Sequence, residues 1–173
     1  MYKRQQLQLR LPTERYYEEE GRAELTPRDF GILMHRVFEN AATTDEIYMA
    51  IEAMTQDGVL DEKEAPRLRE LVEKALADPV TAEWFGGRWQ VVRNENEIIL
   101  PGSGTTRRPD RVMTDGERAV VVDYKFGDRE TARHRKQIRE YLRLLRQMGY
   151  TRTEGYLWYV RLGRTERVEE KED

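Results

Sequence analysis

The chain has no cysteine. That absence excludes disulfides, thiol nucleophiles, thiolate zinc sites and iron–sulfur clusters. No apolar run approaches the roughly 20 residues needed to span a bilayer, and the N-terminus carries no hydrophobic signal region. The expectation is a cytoplasmic protein with no membrane contact. A strong charge of either sign is also lacking: 30 Lys and Arg stand against 33 Asp and Glu, for a net charge of −3. Any contact with a polyanion must therefore come from local patches or a bound cation.

At 173 residues the chain can build one well-cored domain. Its opening, MYKRQQLQLRLPTERYYEEEGR, is polar and mixed in charge, so residues 1–25 read as a lead-in or tether and residues 26–173 as a single domain. Thr26-Pro27 supplies an N-cap and a first-turn proline, and Phe30, Leu33, Met34, Val37, Phe38 and Ala41 recur at helical spacing. This predicts a helix from about Pro27 to Asn40. Two more helices are expected in a helical insertion over about 43–86, punctuated by Thr44, Asp57-Gly58 and Asp78-Pro79. After Trp84 the texture becomes β-rich. RWQVVRNENEIIL, RPDRVM and ERAVVVDYKF read as three strands separated by Pro101-Gly102 and Asp115-Gly116. A long helix from about Arg129 to Met148, a strand EGYLWYV and a charged tail complete the order.

The strand ERAVVVDYKF raises the chemical question. Val120, Val121 and Val122 read as buried, yet the run continues into Asp123, Tyr124 and Lys125. Alternation places Val121, Asp123 and Lys125 on one face. With a loop from Asp115 to Arg118, Asp110 stands opposite Asp123; with a two-residue Asp-Gly turn it stands opposite Val121. Both registers put the two aspartates on the same face. Carboxylates held close at a strand end repel each other, and a cation removes that penalty. Hard oxygen ligands favour Mg2+ or Mn2+ with open positions for water and phosphate oxygens. A lysine two residues on could position a water or neutralise charge on a phosphate. D-x-K on a strand also occurs as an exposed ion pair, but apolar residues on both faces argue for a central strand, where an idle pair would be costly.

Five short motifs carry a family resemblance in order along the chain: G-I-L-M-H at Gly31 to His35, N-E-I-I at Asn96 to Ile99, R-P-D-R at Arg108 to Arg111, D-Y-K at Asp123 to Lys125, and Q-x-x-x-Y at Gln137 to Tyr141. The sequence resembles the PD-(D/E)XK nuclease superfamily, and within it the RecB- and AddA-like nuclease domains of bacterial helicase-nucleases. The resemblance implies an α/β fold with a restriction-endonuclease-like core: a central mixed sheet flanked by helices, with the helical insertion between the first core helix and the first strand. It implies that Asp110 and Asp123 ligate the metal, that His35 completes the coordination, that Tyr124 lends its backbone carbonyl, and that Lys125 acts on the attacking water. Glu97 matches the family's strand glutamate, with Glu95 at the same strand parity. Gly31, one turn before His35, would let a strand approach the helix closely.

Gln137 and Tyr141, four apart on one helical face, are placed by the resemblance beside the site, supporting it or holding DNA. Arg108 and Arg111 flank Asp110 and are assigned the same kind of role. The helix also carries Arg129, Arg133, Arg135, Lys136, Arg139, Arg143 and Arg146 against Glu130 and Glu140. Arg133 and Lys136 are the expected phosphate contacts on this local basic surface. The chain lacks the four cysteines with which some RecB-like nucleases hold an iron–sulfur cluster, and it lacks a G-x-x-x-x-G-K-[ST] loop. A helicase motor is thus expected elsewhere in the natural chain or in a partner, with the isolated domain a monomer. The expected activity is Mg2+-dependent, exonucleolytic hydrolysis of DNA in recombinational repair. The alternative is a noncatalytic nuclease-like module that binds DNA or a helicase subunit.

Overall fold

Val120, Val121 and Val122 are fully buried because helices cover their strand on both sides. The structure, a computed structural model, describes residues 27–95, 98–99, 106–127 and 131–170. In chain order the elements are α1 (Pro27–Glu39), α2 (Thr44–Gln56), α3 (Ala65–Leu76), α4 (Pro79–Trp84), β1 (Val91–Asn94), the two-residue strands β2 (Ile98–Ile99) and β3 (Thr106–Arg107), β4 (Arg111–Asp115), β5 (Arg118–Lys125), α5 (Ala132–Gln147), β6 (Arg152–Tyr159), a 3-10 turn over Val160–Leu162, and β7 (Arg164–Arg167). Five strands form one sheet in the order β1-β4-β5-β6-β7, and β2 and β3 pair separately. Only β5 and β6 run parallel within the large sheet, joined through α5; its other neighbours are antiparallel. This is the expected α/β architecture with a central mixed sheet.

The alternation along β5 sorts the core into two layers. Val120, Val122 and Tyr124 face α1 to α4 and join Met34, Phe38, Trp84, Phe85 and Trp158. Ala119 and Val121 face α5 and join Ile138, Tyr141, Leu142, Leu145, Leu157 and Tyr159. In the first layer Phe38, Tyr124 and Trp158 meet with ring centroids 5.1–5.5 Å apart, which fixes the end of β5 under α1. A Cβ on Gly31 would lie 3.4 Å from Cβ of Phe126, so the bare backbone lets α1 sit directly over the chain leaving β5. In the second layer α5 presses on β6 at Gly155, where an added Cβ would fall 2.4 Å from Ile138 Cγ2 and 3.2 Å from both Leu142 Cδ atoms.

The hairpin takes the register that aligns the aspartates. Arg111 pairs with Val122 and Asp115 with Arg118, closing a two-residue loop in which Gly116 adopts φ 81°. Asp110 immediately precedes Arg111 and so stands at the level of Asp123. Several boundaries differ from the sequence reading. Asp78-Pro79 both follows the end of α3 and begins a further helix: Asp78 Oδ1 accepts the Val80 N–H at 2.8 Å, Pro79 takes the first helical position, and α4 is a third helix in the segment where two were predicted. The first predicted strand breaks after Asn94 because Glu95 adopts φ 53°. The charged tail contributes a strand, β7, after Gly163 turns the chain with φ 56°. The predicted lead-in segment, Thr26 and Arg129 lie outside the described residues.

Arg111 is buried although charged. Its guanidinium donates to the carbonyls of Ala41 (2.6 Å), Ala42 (2.9 Å) and Trp84 (2.7 Å) and to Asn94 Oδ1 (3.2 Å), and lies 4.0 Å from the Phe85 ring centroid. Replacing it by methionine leaves three carbonyls without that donor, at about 1–3 kcal/mol for each one water does not reach. Arg111→Met should accordingly lower the urea midpoint far more than a surface arginine replacement does. Gly155→Ala should cost about 1–3 kcal/mol by overpacking α5 against β6. Combined with Ile138→Ala it should cost less than the sum of the two single changes, measured by the same urea unfolding.

Candidate active site

Both layers meet at the end of β5, where α1 brings in His35 from one side and α5 its first turns from the other. Asp123 is 3 % exposed. Its buried Oδ2 pairs with the Lys125 ammonium. Asp110 is positioned by the backbone: its Oδ2 accepts the Tyr124 N–H at 2.5 Å. That bond crosses from the start of β4 to the residue between Asp123 and Lys125, so the two halves of the sequence pattern are tied at one peptide group. The side chain of Tyr124 points the other way, into the aromatic layer.

His35, Glu95 and Asp110 each offer a ligand atom within 4.8 Å of the others. His35 stands edge-on to Phe126 with centroids 4.7 Å apart, and its Nδ1 is 3.7 Å from Glu95 Oε1. Glu95 reaches this position because its backbone is left-handed, an arrangement that costs a non-glycine residue on the order of 1–3 kcal/mol and persists only where surroundings impose it. Here Glu95 N–H donates to the Asp110 carbonyl at 3.0 Å, and Arg108 Nε donates to the Glu95 carbonyl at 2.7 Å. Arg108 Nε also lies 2.8 Å from Glu95 Oε2.

The expected residues thus divide. His35, Asp110, Asp123, Lys125 and Arg108 converge on one place. Glu97 lies outside the described residues, as do Asn96 and the segment 100–105. Among the described residues the carboxylate beside His35 and Asp110 is that of Glu95. Asn94 and Asn96 flank it, and such turn-forming residues are the cue that a strand ends there. Arg111, assigned to nucleic acid or to site support, is buried, with its guanidinium on backbone carbonyls. His134 was not anticipated. It lies close enough to Asp123 and Lys125 for both charges to act on it, and its Nδ1 is buried without a hydrogen bond. Its spacing from Gln137 and Tyr141, three and seven residues, puts it on the same helical face.

Gln137 Nε2 donates to the Tyr141 hydroxyl at 2.9 Å. Burial first, then the charges of Asp123 and Asp110, push that hydroxyl up to about 12, against the pull of Gln137. A groove of about 490 Å³ opens beside this pair, lined by Arg107, Arg133, Lys136, Gln137 and Glu140. Arg107 is held by Glu140 at 3.0 Å, while Arg133 and Lys136 are exposed and form no ion pair among the described residues. The basic helix is not uniformly available. Arg135 pairs with Glu166, Arg146 with Glu170 at 2.5 Å, and Arg139 donates to the Glu169 carbonyl, so three of its arginines fasten the C-terminal segment.

The donor set fits a hard divalent cation: carboxylate oxygens of Glu95 and Asp110 and one imidazole nitrogen of His35 converge. The electrostatics agree. Burial and the facing charge of Asp123 push the Asp110 carboxyl up to about 8, against the Tyr124 N–H that favours its ionised form. Burial lowers His35, although Glu95 and Asp123 act in the other direction.

A sign follows for stability. A carboxyl whose folded pKa is raised favours folding while protonated, and that contribution is lost as pH rises towards the folded value. His35 and His134, both lowered, oppose this trend only below their ordinary value of 6.5. Between pH 6.5 and about 8 the melting temperature in EDTA should therefore fall. In excess Mg2+ the fall should flatten or reverse, because a metal that needs ionised Asp110 binds more tightly as the proton leaves. Calorimetric melts across that window check both halves.

The sequence model of the PD-(D/E)XK nuclease superfamily matches residues 2–173. A search of curated proteins finds no match. Among the described residues no helix is long and apolar enough to cross a membrane.

Proposed function

Since the chain belongs to the PD-(D/E)XK nuclease superfamily, we propose that it is a Mg2+- or Mn2+-dependent deoxyribonuclease, an exonuclease domain of the RecB/AddA-like kind that works in the cytoplasm in recombinational DNA repair. The observation that carries the reading is the junction at Tyr124, whose N–H holds Asp110 against the Asp123–Lys125 pair. It joins the two signature segments into one site with His35 and Glu95.

In this proposal His35, Asp110 and Asp123, with Glu95, hold the metal; Glu97 assists and Tyr124 lends its carbonyl. A bound divalent ion would supply a Lewis acid for the scissile phosphate and would make a water more acidic. Lys125 is half-buried and anchored on Asp123, so its ammonium is held towards the site and not dissolved in solvent. There it orients the attacking water and screens charge as it grows on the phosphate, an interaction strongest in the transition state. Tyr141, steadied by Gln137, closes the site on the α5 side. Arg133 and Lys136 line the adjoining groove and receive the phosphates of the strand being digested. The lack of a P-loop in this chain makes a helicase in the same natural chain or complex the proposed partner.

The test is incubation with end-labelled linear and closed circular single-stranded DNA in Mg2+, Mn2+ or EDTA. Linear DNA should be degraded with either metal, circles should survive, and EDTA should abolish cutting. Lys125→Ala should keep Mn2+ and DNA binding and melt like the wild type in Mn2+, yet lose about a hundredfold or more in single-turnover cleavage. Asp123→Asn should lose metal binding as well. A wild-type protein that binds DNA but cuts nothing under any metal condition would instead be the noncatalytic module, and cleaved circles would overturn the exonuclease assignment.

A further inference from the structure

Arg108 stands beside the site and uses only one of its nitrogens there. Its Nε bonds the Glu95 backbone and faces Glu95 Oε2, while Glu95 Oε1 faces His35 Nδ1. The carboxylate is thus divided between two neighbours, one oxygen turned to the ligand cluster and the other to the guanidinium. Both Nη groups of Arg108 are without a hydrogen bond among the described residues, and the side chain is 54 % exposed. A guanidinium is a rigid fork with five N–H donors, and four of them are on the two Nη atoms. Held by Nε, Arg108 therefore presents its planar end to solvent, in the geometry that matches two oxygens of a phosphate.

The charge at the site makes this placement consequential. With all three carboxylates ionised, Glu95, Asp110 and Asp123 outweigh two cations, Lys125 and Arg108, by one charge, and a divalent ion, whose binding draws the proton from Asp110, turns that deficit into a surplus of one that attracts a phosphate. A cation whose donors point outward at that moment meets the substrate first.

We infer that Arg108 binds a substrate phosphate through its Nη fork while its Nε holds Glu95 in the conformation that turns Oε1 to the ligand cluster, so that one side chain couples ligand positioning to substrate binding. This rests on the nuclease reading above. Lysine cannot replace it, since a single ammonium cannot hold the Glu95 carbonyl, its carboxylate and a phosphate together.

The experiment uses two measurements on the wild type, Arg108→Gln and Arg108→Lys. One is calorimetric Mn2+ titration without DNA. The other is binding of a fluorescent single-stranded oligonucleotide in Ca2+ over a range of salt, with a denaturing gel to confirm that it is uncut. Arg108→Gln should lose roughly tenfold in Mn2+ affinity, as is usual when a ligand's supporting partner is removed, and about tenfold in DNA affinity. Its salt slope should fall by about one phosphate contact. Arg108→Lys should recover the salt slope but not the Mn2+ affinity. Arg88→Gln removes the same charge from an exposed position before β1, at the end of that strand away from Glu95, and should change neither.

Loss of Mn2+ affinity alone would leave Arg108 a positioning residue only and overturn the phosphate role. Loss of DNA affinity alone would overturn the coupling to Glu95. Full recovery by lysine, or an equal effect from Arg88→Gln, would reduce the effect to bulk charge and overturn the inference. A wild type that binds neither Mn2+ nor DNA would overturn the nuclease reading itself, an outcome separate from all of these.

Discussion

A single buried guanidinium holds the frame on which the site is mounted. Arg111 begins β4, and its donors reach Ala41 and Ala42 in the link between α1 and α2, the last residue of α4 and the side chain of Asn94 at the end of β1. Asn94 Nδ2 in turn donates to the Ala41 carbonyl at 3.1 Å, so the two side chains share an acceptor. Arginine cannot escape burial by losing its proton, so its environment must supply acceptors. The partners here are neutral carbonyls, an amide and an aromatic face, and no carboxylate pairs with it. The alternation of β4 explains why this matters. Arg111 points to the α1 layer and Asp110 to the α5 layer, so a rigid anchor on one face fixes a carboxylate on the other. The anchor draws on none of the anions that the site requires.

The site itself is a set of like charges held together by backbone. Asp110 is fixed by a peptide N–H, Glu95 by a left-handed residue stapled through its own N–H and carbonyl, and His35 by the ring of Phe126. Lys125 and Arg108 offset the charges of Asp123 and Glu95, whereas Asp110 has no cation paired with it among the described residues, and burial first, then the facing charge of Asp123, pushes its carboxyl up. Such a cluster would be a poor choice for stability alone, because replacing a carboxylate by a neutral isostere would relieve it. It is a good choice for a centre that must capture a divalent ion, since the repulsion disappears on binding and the geometry is already paid for by the fold.

Much of this was legible before the structure because it depends on local rules. Three consecutive β-branched residues followed by D-x-K announce a central strand ending in chemistry, and the period of two puts Asp110 and Asp123 on one face in either register. Which register holds depends on the loop, and Gly116 settles it with a positive φ that Asp115-Gly116 alone could not assign to a turn type. The points missed have non-local causes. Asp78-Pro79 is equally good punctuation for a stop or a start and here is both, and the short helix it starts is held by the buried face of Trp84 and Phe85 against Trp158. Glu95 and Glu97 share a parity, so alternation alone does not choose between them, and Glu97 lies outside the described residues. The break at Glu95 follows from bonds to Asp110 and Arg108, some 13 to 15 residues along the chain. Arg111 looked like one more cation near a signature motif, and its burial became visible only with the helices folded over it.

The arginines of α5 show why composition is a weak guide to polyanion binding. The helix reads as one basic surface, yet its faces have different partners. Arg135, Arg139 and Arg146 are bound to the segment of Glu166, Glu169 and Glu170, so those acidic residues cover part of the basic face. Arg133 and Lys136 lie on the side towards the groove and the site, with Arg107 opposite and, among the described residues that line the groove, Glu140 alone to offset them. Screening confines the influence of exposed charges to about 8–10 Å at ordinary ionic strength. A phosphate entering the groove therefore responds to these few neighbours and hardly at all to the acidic surface elsewhere. Local separation of charge lets a chain with a net charge of −3 present a cationic approach to an anionic cluster that could hold a metal ion.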